Sequence, residues 1–159
     1  MKAIAVAVCL GTVLFLVATG KAQPSKAASV AVTAAHSLVR TGEDVYVHVT
    51  LTNNSKQAVV IEFRSPLCDY TVEVRDSAGN LAPDTDSKSK SDCSHPHPSG
   101  ADGFVRLKPN ESTTGTISVS MFSDLSRTGE YSVQVGWREP KELGGVVVKS
   151  NTVKVTVAP

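Results

Sequence analysis

The sequence predicts an all-β protein: an immunoglobulin-like antiparallel β-sandwich of about seven to eight strands, after an N-terminal signal peptide. Two observations carry this reading. From Ser29 to Val157 short runs alternate apolar and polar residues with period two, and Asn-, Pro- and Gly-containing turns separate them. Beyond the first residues, no stretch repeats its apolar positions at helical spacing.

The N-terminus reads as a targeting segment. Lys2 precedes an apolar or small run from Ala3 to Ala18, and Gly20 and Ala22 supply the small residues of a cleavage site before Gln23. The run is shorter than the roughly 20 residues that a membrane-spanning helix needs. Residues 1–22 are therefore expected to be a signal peptide, 23–28 an N-terminal tail and 29–159 the sandwich. No membrane span is expected in the mature chain, which the leader would send to the periplasm or the exterior. Losing Lys2 and Lys21 takes the formal charge from +1 to about −1. A near-neutral chain with scattered basic residues has no field to gather nucleic acid.

The strands follow in order. Ser29-Val-Ala-Val-Thr33 opens the sandwich. Val45, Val47, Val49 and Leu51 face one side of the next run, with Tyr46, His48, Thr50 and Thr52 on the other. After a turn at Asn53–Lys56, Val59, Ile61 and Phe63 point inward while Val60 and Glu62 point out. Tyr70, Val72 and Val74 repeat the pattern before the Asp76–Asn80 turn. Alternation stops from Pro83 to Gly103, a polar loop, and resumes at Phe104-Val-Arg-Leu107. Ile117, Val119 and Met121 form the next inner face, then Tyr131, Val133, Val135 and Trp137, then Val153, Val155 and Val157. Gly129-Glu-Tyr131 has the form of a tyrosine corner, and Trp137 closes the same inward face, so both are read as structural residues, with a recognition position at the rim as the alternative for Trp137 before Arg138-Glu-Pro140.

Cys9 lies in the leader, which leaves Cys68 and Cys93. Two cysteines in an oxidising compartment are expected to pair, adding roughly 3 kcal/mol by constraining the unfolded chain. Cys68 stands at a strand entrance and Cys93 in the polar loop, so this bond staples a loop to the rim instead of pinning the sheets together.

Phe63-Arg-Ser-Pro-Leu-Cys-Asp-Tyr-Thr-Val-Glu-Val-Arg-Asp-Ser-Ala-Gly79, Leu107-Lys-Pro-Asn-Glu-Ser112 and Gly129-Glu-Tyr-Ser-Val133 resemble the intracellular-proteinase-inhibitor-like domains of bacteria. The resemblance covers most of the chain after residue 22. It implies a small immunoglobulin-like sandwich and, as an activity, protease inhibition. Two features depart from the family. Leu81-Ala-Pro-Asp84 and the polar loop stand where the family has a tryptophan-containing segment, and the family's namesake has no export signal.

Candidate chemistry is sparse. His95 and His97 in Cys93-Ser-His-Pro-His97 are spaced to share a copper or zinc ion, with Asp84, Asp86 and Asp92 as possible oxygen donors. Met121 is the lone methionine after the leader, which excludes a methionine-rich copper site. His36 and His48 read as surface residues. Glu43-Asp44 and Glu139/Glu142 read as turn acids that serve solubility. Asn53 and Asn110 fit the glycosylation pattern and otherwise are turn residues. No serine sits in a nucleophile elbow and no phosphate-binding glycine loop follows a strand. The chain is thus expected to be no enzyme, to need no cofactor, and to work as an exported binding module whose partner is another protein or an envelope component. The polar loop 83–103 is its expected recognition surface. Inhibition of an extracytoplasmic protease and metal binding through His95 and His97 are the alternatives.

Overall fold

A computed structural model describes residues 27–93 and 103–159; the expected signal peptide lies outside them. Among these residues the chain forms nine strands. They are β1 (Ala28–Ala34), β2 (Leu38–Arg40), β3 (Tyr46–Asn53), β4 (Val59–Glu62), β5 (Tyr70–Asp76), β6 (Phe104–Leu107), β7 (Ser112–Ser118), β8 (Gly129–Arg138) and β9 (Val147–Ala158). One sheet has the order β1-β3-β7 and the other β2-β9-β8-β5, while β4 and β6 form a separate two-stranded ribbon. The protein is an immunoglobulin-like β-sandwich.

The alternation read from the sequence builds the core. Val30, Val32, Val47, Val49, Leu51 and Ile117 are buried on the inner face of the first sheet, and Val72, Val74, Val133, Val135, Val155 and Val157 on that of the second. Burying each such side chain is worth roughly 1.5–3 kcal/mol, and β-branched valines also suit the pleated backbone. Tyr131 is buried, and its Oη donates to the Arg127 carbonyl at 2.8 Å, the corner geometry that ties a loop to a strand start.

Four details depart from the sequence reading. The strand expected to run through Met121 ends at Ser118, and a 3-10 turn at Val119–Met121 follows. That turn shifts the period, so Phe122 is buried and Met121 exposed. The unanticipated β2 pairs in parallel with β9, with Leu38 opposite Thr156 and Arg40 opposite Ala158. The N-terminal chain thus starts in one sheet and crosses to the other. Part of the polar loop is helical: α2 (Asp86–Ser89) forms in it, capped by Thr85, whose Oγ1 accepts from Lys88 N at 3.2 Å. Lys88 and Lys90 pair with Asp84 and Asp86 one turn earlier, so charge and capping hold this helix, not an apolar stripe.

The fourth is a bulge. Gln134 pairs with Thr152 but Gly136 pairs with Lys149, so β9 carries one extra residue. Ser150 Oγ accepts from Val135 N at 3.0 Å, replacing the lost ladder bond. The bulge re-aims Asn151 across to β1. Its Oδ1 accepts from Val32 N at 2.9 Å and its Nδ2 donates to Val32 O at 3.0 Å, a side-chain bridge between the two sheets.

Candidate cleft beside the ribbon

The β3–β7 ladder does not end in a simple loop. Both strands run on through turns into the β4–β6 ribbon, and Asn53 holds the junction. Only 1% exposed, it donates from Nδ2 to the carbonyls of Gln57 (2.8 Å) and Leu107 (3.1 Å) and accepts at Oδ1 from Ser55 N (2.9 Å). On the partner strand, Lys108–Glu111 is a turn closed by Glu111 N to Lys108 O at 3.0 Å, with Asn110 at φ 63° after Pro109. Asparagine tolerates that left-handed position, which most residues resist. Asn53 is thus no glycan acceptor, as its amide is buried and engaged. Neither the glycosylation pattern nor a plain turn role anticipates this buried junction.

The ribbon folds back so that Ile61 and Leu107 enter the core. Its other face stays open, leaving Val60 54% and Phe104 53% exposed. Between this ribbon and the end of β8 lies a cleft of about 1100 Å3. Residues 55–62 line one side without a break, and Trp137–Lys141 with Leu143 line the other. Ala27, Phe104, Arg64, Cys68 and Asp69 complete it.

Each wall has its own local cause. The helix α1 (Pro66–Asp69) begins at a proline, the residue best suited to a first helical position. Asp69 is buried, and its carboxylate accepts from Arg64 N (2.7 Å), Ser65 N (3.1 Å) and Arg64 Nε (3.1 Å). Arg64 is thereby committed to a neighbour. Lys56, Arg138 and Lys141 are the other exposed cations of the cleft. Glu139, read from the sequence as a solvated turn acid, is buried in the far wall; its N–H extends the hairpin to Val146 O at 2.9 Å. Trp137 is buried at the same wall, opposite Tyr70 in the β5–β8 register.

Burial, with the Asp69 carboxylate adding to it, pushes the Tyr70 phenol from near 10 up to about 12. The folded state thus resists phenolate formation. Its contribution is fully present below pH 10 and is lost as pH rises through about 12. Replacing Tyr70 with phenylalanine should remove this alkaline component, on the order of 2–3 kcal/mol between those limits, in urea unfolding followed against pH. An unchanged alkaline slope would contradict the burial argument.

The other residues singled out by the sequence fall elsewhere. Cys68 and Cys93 form a disulfide, with Cys68 on the cleft and Cys93 exposed, so the polar loop is anchored at the cleft rim. His95 and His97 lie outside the described residues. Asp84 and Asp86 face lysines, and among the described residues no group of three or more His, Cys, Asp or Glu converges. His36 and His48 are exposed; His48 Nδ1 meets Thr116 Oγ1 at 2.9 Å on the open face of the first sheet. No helix among the described residues is long and apolar enough to cross a membrane.

No protein-family model matches this chain. The search of curated proteins finds no match either. Among solved structures it is similar to the CARDB domain of a Pyrococcus furiosus protein in complex with di-metal ions, at 14% identity and TM-score 0.42, over 87% of this chain and 95% of that one. It is also similar to the sporulation control protein Spo0M of Bacillus subtilis, at 15% identity and TM-score 0.44. That match spans 84% of this chain but only half of the Spo0M chain. A PapD-like domain of human CEP192 matches at 14% identity and TM-score 0.32, over 94% of each chain. These likenesses concern the fold, whose assignment rests on the strand order above.

Proposed function

We propose that this chain is an exported, non-catalytic binding module that holds a segment of another protein in the cleft between β4 and the end of β8. The cleft itself carries the reading. Its volume is that of a ligand site, and it joins two exposed apolar side chains to a ring of charged ones over a rigid strand floor. The disulfide fits an oxidising compartment, as does the apolar run at residues 3–18. The resemblance to proteinase-inhibitor-like domains names one partner class, an extracytoplasmic protease, which a protease panel examines directly.

A photoreactive side chain at Phe104 tests the site in the native envelope. It should give a discrete crosslinked product that the same group at Thr50, on the outer face of the first sheet, does not give. The added substitution Val60→Glu should abolish it. Equal products from both positions, or none from Phe104, would sink the reading.

A further inference from the structure

We infer that the cleft captures its partner by strand addition, with an extended acidic segment of another protein pairing main chain to main chain along the open edge of β4. This rests on the cleft being the binding site and specifies how it binds.

The ladder supplies the first reason. β4 has β6 as its only hydrogen-bonded neighbour, so its other edge is open among the described residues. Phe63 N donates to Gly103 O at 2.7 Å, and the register places Ile61 opposite Val105 and Val59 opposite Leu107. Those odd positions direct their main-chain groups at β6. By alternation Val60 turns its N–H and C=O away from β6. The unbroken run of lining residues 55–62 puts this edge along the length of the cleft. An edge strand is usually blocked by proline, lysine or a covering segment. Val59-Val-Ile-Glu62 has no proline or lysine, and among the described residues it faces a cleft instead of a covering strand.

Side chains give the ligand its character. Val60 lies opposite Arg106 and Phe104 opposite Glu62, so Val60 and Phe104 are diagonal neighbours on the open face. An added strand would set every second side chain over them, and apolar residues fit there. The opposite wall offers Arg138 and Lys141, with Lys56 beside β4, against Glu62 as the exposed carboxylate of the lining. Acidic residues therefore suit the alternate positions. Strand addition derives affinity from backbone bonds and specificity from such alternation.

The probe is a capped peptide alternating glutamate and valine, compared with one alternating lysine and valine and with a glutamate–valine peptide N-methylated at every second residue. Calorimetry reads binding to the whole protein and to Val60→Pro. Proline there removes an N–H that β6 does not use, at an edge position where proline is tolerated, so folding is retained; Val60→Thr serves as the control for side-chain loss. The expected result is binding of the acidic peptide that weakens about tenfold or more with N-methylation or with Val60→Pro, and by a clearly smaller factor with Val60→Thr, which removes apolar side-chain contact but keeps the N–H. Binding indifferent to both backbone changes overturns strand addition while leaving the cleft as the site. Equal binding of the lysine peptide overturns the acidic preference. No binding of any peptide at about 1 mM overturns this ligand chemistry, and the Phe104 crosslink then decides the cleft separately. Concentration-dependent dimerisation in sedimentation that Val60→Pro abolishes would assign the edge to a second copy of this chain and overturn the proposed occupant.

Discussion

Replacing Asn53 with aspartate is expected to destabilise the protein by about 3 kcal/mol at pH 7, and by less in acid. The substitution keeps the shape and the acceptor that holds Ser55 N, but exchanges the amide donor for an oxygen facing the carbonyls of Gln57 and Leu107. Two buried carbonyls lose a donor, and the new charge repels them. Folding then favours the neutral carboxyl, so its pKa rises above the unfolded value near 4. Stability is highest below that value and falls as pH rises through the folded pKa. Asn53→Ala should cost a similar amount without the pH dependence. Urea unfolding of parent and both variants at pH 7 and pH 4 distinguishes these outcomes. Equal losses for the aspartate variant at both pH values would show that the amide donor is not what holds the junction. Because Asn53 joins the β3–β7 ladder to the ribbon, both variants should also loosen the cleft.

Replacing Cys68 and Cys93 together with serine is expected to cost about 3 kcal/mol, or roughly 10 °C in Tm. The bond closes a loop with a sequence separation of 25, and its main effect lies in the unfolded chain. It lies outside the valine core, so the buried packing around Val133 and Val135 should not change. Asp69 fixes α1 through three hydrogen bonds of its own, so the cleft floor survives reduction. Peptide binding should therefore change only a few-fold. Calorimetric melting of the parent with and without reductant, beside the double variant, checks the size. A Tm unmoved by either treatment would mean that the loop is equally constrained without the bond.

The sandwich was legible because its valines alternate on long strands. Val45 to Leu51 and Tyr131 to Val135 each carry several residues of unbroken pattern, and the structure buries that face. Short elements held by other forces left no such trace. β2 has three residues with only Val39 buried, and α2 rests on a cap and two ion pairs. The slip at Met121 came from a 3-10 turn, whose period a strand pattern does not announce.

The cleft was legible only in fragments. Val60 read correctly as an outward apolar residue, and the Phe104-Val-Arg-Leu107 alternation that exposes Phe104 was visible. What brings them against Trp137 and Lys141 is the ribbon folding back at Asn53, a long-range arrangement hidden in what looks like an ordinary Asn-Asn-Ser turn. Glu139 misled for the same reason: a charged residue beside a proline suggests solvent, until the hairpin and ribbon enclose it.

Hydrogen exchange at the Val60 amide, followed by NMR with and without the glutamate–valine peptide, tests the account most directly. Strand addition predicts that exchange at Val60 slows about tenfold or more on binding, while Ile61, already paired with β6, changes little. A saturated complex in which Val60 exchanges as fast as in the free protein would contradict it.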